Sequence, residues 1–339
     1  MFKIKEVILE EEQQLLISFL SKNNLEYEYD IDFSILVYDD DQLIATGSLA
    51  NNIMKCFLVI EKYKGKNVTN LIFKYLVDIL YSRNVHHFFV FTLPRNEKIF
   101  LSLNMKRVVK TMNTVLLESG EHISDVLTRL KINYDISNNK KACLIINANP
   151  MTLGHQYLIE TAAKENKEVI VFVVSEDLSS FPFSDRFKII KEATKHLDNV
   201  KVLPSLSYLV SRITFPKYFL KEDQLIQDEQ TLVDVLVYKE YYAKIFKINL
   251  RYLGEEPFSY NTSKYNKVLQ DYLGQNVKIV KRLEHNKKAI SASQVRKLMK
   301  ADKIEKLKDL VPQATYDFLL SDKGKEIIKK VQSKKLGRH

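Results

Sequence analysis

The sequence predicts an α/β protein of two domains, the first of mixed α/β type and the second built on a parallel sheet. Three observations carry that expectation. The chain has 339 residues, about twice the length of an ordinary domain. A short stretch without apolar residues, Ser137-Asn138-Asn139-Lys140-Lys141, reads as a linker and sets the domains at 1–136 and 141–339. Beyond it, near-continuous apolar strands alternate with amphipathic helices, the pattern of a parallel sheet covered on both faces.

In the first domain, helical spacing of Leu15, Leu16 and Phe19 predicts a helix over 11–22. Strands over 34–38 and 43–49 flank the acidic turn Asp39-Asp40-Asp41 and read as a hairpin. A third strand follows over 54–60. Leu71, Ile72, Tyr75, Leu76 and Ile79 share one side of a helix over 68–82. Strands over 87–92 and 108–117 and a helix over 122–131 close the domain. In the second, strands are expected over 142–146, 168–174, 200–203, 249–253 and 277–280. Helices are expected over 154–165, 185–196, 208–221, 231–246 (which also fits a strand start), 293–300 and 303–310. The basic tail 323–339 reads as a frayed, solvated end.

Composition narrows the function. The chain is 45% apolar and 28% charged, with few glycines and prolines, as in a globular protein. Cys56 and Cys143 lie in apolar strands, which predicts buried thiols in a reducing compartment. The start resembles no signal peptide, and no apolar run reaches the ~20 residues of a membrane span, so a cytoplasmic location is expected. The net charge of +10 favours anionic partners. No aromatic–basic pattern for single strands accompanies it, so neither nucleic acid nor membrane is expected. The histidines lack metal-ligand spacing, and no P-loop or Gly-x-Ser-x-Gly elbow occurs.

The residues that carry chemistry begin at the first strand of the second domain. The strand ends at Asn147. A turn through Asn149 and Pro150 follows, and a helix opens at Thr152-Leu153-Gly154-His155. Ligands of open parallel sheets bind at strand carboxyl ends, and a helix N-terminus there suits phosphate. Gly154 permits close approach. Thr152 either caps the helix or bonds a phosphate oxygen, and the His155 imidazole is a candidate donor to the α-phosphate. The same residues also fit a capped helix with a surface histidine. A second segment, Ile290-Ser291-Ala292-Ser293-Gln294-Val295-Arg296, places two N-cap serines and an arginine at a helix entrance. Arg186, after Ser184 and Asp185 as candidate caps, either reaches a triphosphate or is a solvated arginine. Gly254 and Glu255, after a late strand, are either nucleotide-binding or a surface turn.

The first segment is similar to the His-x-Gly-His signature of nucleotidyltransferases in its Thr-x-Gly-His form, and the second to their Ile-Ser-x-Ser-x-x-Arg signature. Longer blocks are more specific. INANPMTLGHQYLIE (146–160), VSEDLSSFPFSDR (174–186), TFPKYFL (214–220), RYLGEEPFS (251–259) and ISASQVR (290–296) resemble the citrate lyase ligases, in that family's order. The resemblance implies a Rossmann-like (HUP-type) nucleotidyltransferase domain behind an acetyltransferase-like (GNAT) domain. In the latter, Lys62 to Asn67 stand where active acetyltransferases carry a pyrophosphate loop. Only Gly65 matches, so a structural or docking role is expected there.

The resemblance further implies an AMP-forming acid–thiol ligase. Its substrates would be ATP with Mg²⁺, acetate, and the thiol of a phosphopantetheine-type group on the acyl-carrier subunit of citrate lyase. His155, Thr152 and Arg296 would be catalytic. Asn147, Asn149, Pro150, Gly154, Arg186, Gly254, Glu255, Ser291 and Ser293 would hold the nucleotide. Two rival readings remain: a nucleotidyltransferase for a small phosphorylated acceptor such as 4′-phosphopantetheine, and an acyltransferase working from the first domain.

Overall fold

The computed structural model describes residues 2–175, 177, 179–209, 219, 223–255, 260–286 and 288–333. It forms two compact units, Met1–Val126 with Val210–Val237, and Leu127–Leu209 with Tyr238–His339. The division therefore falls earlier than the expected linker. Lys131, in the helix Ile123–Asn133, donates to the carbonyl of Ile245 at 2.9 Å. Lys141, 2% exposed, ties residues 137–141 down by donating to the Ser137 and Phe246 carbonyls, each at 3.1 Å.

In the first unit the elements are β1 (Lys3–Glu6), α1 (Glu10–Lys22), β2 (Phe33–Asp39), β3 (Gln42–Ala50), β4 (Ile53–Val59), α2 (Val68–Ser82), β5 (Phe88–Thr92), α3 (Glu97–Ser102), β6 (Lys106–Lys110), β7 (Val115–Ser119) and the start of α4 (Ile123–Asn133). The described strands form a seven-stranded sheet, β1-β2-β3-β4-β5-β7-β6. All neighbours are antiparallel except β4 and β5, which are parallel and pair at Ile53↔Phe89 and Met54↔Val90. This is a mixed α/β unit, as the sequence led us to expect. The single strand expected over 108–117 is instead β6 and β7. Its turn contains neither Gly nor Pro and is held by Thr111, whose hydroxyl accepts the Thr114 and Asn113 N–H groups at 2.8 and 3.2 Å, a serine/threonine turn. α7 (Asp223–Val237) belongs to this unit. Its Glu229 carboxylate, 5% exposed, accepts from Thr111 and from the Asn113 amide.

The apolar side of α2 (Val68, Ile72, Leu76, Leu80) lies in the unit's core. Its closeness to β3 depends on Gly47. A Cβ there would stand 2.4 Å from the Ile72 Cγ2 and 3.2 Å from a Leu76 methyl.

In the second unit follow β8 (Lys141–Ile146), α5 (Leu153–Glu165), β9 (Val169–Val173), α6 (Phe183–Ala193), β10 (Val200–Pro204), α8 (Ala243–Ile245), β11 (Ile248–Gly254), α9 (Tyr260–Leu273), β12 (Val277–Val280), a short β13 (Glu284–His285) and β14 (Lys288–Ala289) pair, α10 (Ala292–Lys300), α11 (Gln313–Leu320) and α12 (Asp322–Ser333). The larger sheet runs β10-β9-β8-β11-β12, with every pair parallel. The strand order reverses beside β8, and the carboxyl ends of β8 and β11 flank that switch point, where such sheets bind ligands. The helix expected over 303–310 is a 3₁₀ turn at Ile304–Leu307. The tail is not frayed as far as Ser333: Gly324, Ile327, Ile328 and Val331 bury one side of α12. The helix expected over 208–221 lies, apart from residues 208, 209 and 219, outside the described residues. Among the described residues no helix is long and apolar enough to cross a membrane.

Gly47→Ala should destabilise the first unit by ~1–3 kcal/mol through overpacking. In denaturant unfolding this would appear as a lower midpoint with an unchanged slope. Combination with Ile72→Ala should cost less than the sum of the two single changes.

Candidate functional site: a phosphate-binding turn and its arginines

The sequence at the end of β8 makes an unusual turn. Ala148 is 2% exposed and adopts φ +49°, and the Asn149–Pro150 peptide is cis. Thr152 then caps α5, and His155 completes a reciprocal capping box. The Thr152 N–H donates to His155 Nδ1 at 3.1 Å, and the Thr152 hydroxyl lies 2.9 Å from the same nitrogen. In return the His155 N–H donates to the Thr152 hydroxyl at 3.4 Å. Because a backbone N–H donates to Nδ1, that nitrogen carries no proton. The neutral ring therefore holds its proton on Nε2, on the side away from the cap.

Burial around the ring, with the charge of Arg282, lowers the His155 pKa to about 4. The imidazole is a neutral hydrogen-bond donor at physiological pH. In the first turn of α5, the Leu153 N–H donates to the Leu310 carbonyl at 2.9 Å and the His155 N–H is engaged by Thr152. Among the described residues, that leaves the Gly154 N–H as the first-turn donor open to a ligand.

The second segment meets the first. Ser291 caps α10 by accepting the Gln294 N–H at 3.2 Å. Arg296 donates from one nitrogen to the Asn149 carbonyl and from another to the Ser293 hydroxyl at 3.4 Å. Gly154 lies against the same segment: a Cβ on it would stand 3.3 Å from the Ile290 carbonyl oxygen. Thr315, fully buried, donates to the Met151 carbonyl at 3.1 Å. Asn147, Asn149, Pro150, Thr152, Gly154, His155, Ser291, Ser293 and Arg296 thus form one cluster.

Gly254 and Glu255 lie at the end of β11. The Glu255 N–H donates to the Val280 carbonyl at 2.8 Å, and its carbonyl accepts the Arg282 Nε–H at 2.7 Å. A Cβ on Gly254 would stand 3.9 Å from Leu158 of α5, so ordinary contact and not crowding surrounds this glycine.

Residues 141–319 match the family profile of the citrate lyase ligase C-terminal domain. The chain belongs to the citrate lyase ligase family. It is 30% identical over 311 residues to the [citrate [pro-3S]-lyase] ligase of Escherichia coli K12, covering 89% of this chain and 88% of that one. It is 32% identical over 317 residues to the ligase of the same name from Haemophilus influenzae, covering 90% and 94%. Among solved structures, Escherichia coli ElaA is similar over 35% of this chain and all of its own length, at 11% identity and a TM-score of 0.31.

Arg186 has a different place in this citrate lyase ligase family member from the one its sequence suggested. It is 1% exposed. Its Nε donates to the Phe181 carbonyl at 2.9 Å, and one terminal nitrogen donates to the carbonyls of Asn147 and Val174 at 2.9 and 2.8 Å. The guanidinium therefore pins the turn to the following loop and is not the solvated arginine that was one of its two expectations. The helix it belongs to also starts earlier than expected. Asp177, not Ser184 or Asp185, accepts the Phe183 N–H at its entrance. Asp185 is buried instead and accepts from Lys323 at 2.5 Å. Residues 176, 178, 214–218, 220 and 256–259 of the family-like blocks lie outside the described residues. Sequence reasoning passed over Arg282. Its one signal was a basic residue just beyond a strand's carboxyl end.

Two expectations follow. In NMR titration, the His155 Cε1–H should shift with a midpoint near 4, the ring carrying its proton on Nε2. Unfolded chains protonate near 6.5. Acid therefore favours the unfolded state, and the stability that His155 contributes above pH 6.5 falls progressively as the pH drops toward 4. A midpoint near 6.5 would contradict this environment. Arg186→Ala should lower unfolding stability by about 3 kcal/mol, because it removes a buried charge partner from several carbonyls.

Proposed function

We propose that this member of the citrate lyase ligase family uses ATP to activate acetate and passes the acetyl group to a thiol on the acyl-carrier subunit of citrate lyase. The observation that carries this reading is the meeting of the Thr152–His155 turn with Arg296 and Gly154's neighbour Ile290 at the carboxyl end of the central parallel strands. It supports a site for a triphosphate. In the first step one carboxylate oxygen of acetate bonds to the α-phosphorus. The bond from that phosphorus to the bridging oxygen breaks, and its electron pair leaves with pyrophosphate. In the second, the carrier's thiol sulfur bonds to the carbonyl carbon of acetyl-AMP. The bond from that carbon to the AMP oxygen breaks, the electron pair leaves with AMP, and the thiol proton passes to solvent.

Such transfer depends on positioning and charge stabilisation, with no protein nucleophile. His155 Nε2–H and the Gly154 N–H donate to phosphate oxygens. Thr152 fixes the ring and its tautomer. Arg296, with Ser291 and Ser293 at the entrance of α10, binds the outgoing pyrophosphate. Asn147, Asn149 and Pro150 shape the turn, and Gly254 and Glu255 border the nucleotide at the end of β11. Among the described residues no three His, Cys, Asp or Glu side chains gather as a metal site. The Mg²⁺ that accompanies ATP would be held chiefly by phosphate oxygens and water, and it would supply charge neutralisation of the triphosphate.

The test is pyrophosphate exchange into ATP, with and without acetate. Exchange should require acetate. His155→Ala should slow it by ~10²–10³-fold without loss of the folded state. Exchange that ignores acetate, or that survives in the variant, overturns the reading.

A further inference from the structure

In the reading above, the α-phosphate has neutral donors and no protein cation. His155 is neutral, with its Nδ1 side closed by Thr152. Arg296 is given to the outgoing pyrophosphate in the reading above, and Arg186 is buried among carbonyls. Yet a carboxylate attacking a phosphate brings two anions together, and charge grows on the non-bridging oxygens as the transition state forms. A fixed cation at that point is worth far more than one in water.

Arg282 is positioned to supply it. β11 and β12 pair in parallel through Gly254↔Val280, and the Glu255 N–H continues the ladder to the Val280 carbonyl. Arg282 follows two residues later. Its Nε–H is bonded to the Glu255 carbonyl at 2.7 Å, which holds one edge of the guanidinium to the end of β11. α5 packs on that same end: Leu158, one helical turn beyond His155, is the side chain that a Cβ on Gly254 would touch, at 3.9 Å. The His155 ring itself senses the Arg282 charge, which disfavours its protonation. The guanidinium anchored at the end of β11 and the imidazole in the first turn of α5 thus sit on two elements that touch.

We propose that Arg282 is a catalytic residue that contacts the α-phosphate of ATP beside His155 and stabilises the charge that develops as acetate displaces pyrophosphate. This rests on the ligase reading above. It goes further in assigning the transition-state charge to a residue outside both signature segments.

The experiment measures acetate-dependent ATP–pyrophosphate exchange for wild type, Arg282→Ala, Arg282→Lys and, as a control for bulk charge, the exposed neighbour Lys281→Ala. Denaturation midpoints are recorded for all four. Arg282→Ala should lose about 10²-fold in kcat with KM for MgATP changed less than threefold. Arg282→Lys should recover part of the loss, and Lys281→Ala should match wild type. The His155 titration midpoint should rise in Arg282→Ala and return in Arg282→Lys. If wild type shows no acetate-dependent exchange, the ligase reading fails and this inference with it. If wild type exchanges and folded Arg282→Ala keeps its kcat, or Lys281→Ala loses as much, the inference alone is overturned.

Discussion

The second unit depends on a join between two segments that are 147 residues apart where Arg296 meets the Asn149 carbonyl. That carbonyl belongs to a turn whose backbone is already constrained, with Ala148 at positive φ and fully enclosed. Without an outside donor, the carbonyl would face partly desolvated surroundings with no partner, at a cost of about 1–3 kcal/mol. The arginine removes that cost and fixes α10 against α5. Arg186 does the same for the Asn147 carbonyl from the other flank, and Thr315 for that of Met151. The turn is held by side chains from three helices because its own backbone forms no regular ladder there. A turn built this way is rigid before any ligand arrives, which is what electrostatic preorganisation requires.

The electrostatics of the site divide the work between charge and geometry. A histidine that titrated normally would be partly cationic near pH 6.5 and would change its hydrogen-bonding with pH. Burial and the neighbouring Arg282 charge keep the ring neutral, and the Thr152 N–H fixes its tautomer. Positive charge then comes from arginines, whose guanidinium stays protonated at any working pH. Such a site keeps one protonation state while the phosphates change theirs.

Much of this was legible in the sequence, for a physical reason. Helix caps and buried strands obey local rules, so the Thr152–His155 turn, Ser291 at the entrance of α10 and the parallel sheet could be read from neighbouring residues. What failed was non-local. Arg186 looked like a first-turn surface arginine. Its burial follows from the carbonyls of Asn147 and Val174, which no local pattern reveals. Arg282 belongs to no motif, and its position is set by the register of β12 on β11. α12 was hidden by composition: Lys323, Lys325, Lys329 and Lys330 surround the Gly324, Ile327, Ile328 and Val331 stripe that packs inward. The β6–β7 turn escaped because a threonine side chain does what Gly or Pro does elsewhere.

The first unit is mixed α/β as expected, but its loop between β4 and α2 is chemically different from a pyrophosphate cradle. Such a cradle needs several free backbone N–H groups. Here the N–H groups of Tyr63, Lys64 and Lys66 are engaged by the carbonyls of Ile60, Glu61 and Tyr63. The Lys62 and Lys66 ammonium groups lie 5.6 and 4.7 Å from the centre of the Tyr63 ring, and the Tyr63 hydroxyl donates to Asp39 at 2.8 Å. Three of the loop's N–H groups are thus taken up within it. The turn after β8 differs in kind: there a first-turn N–H, a neutral imidazole and the Arg296 guanidinium belong to one cluster.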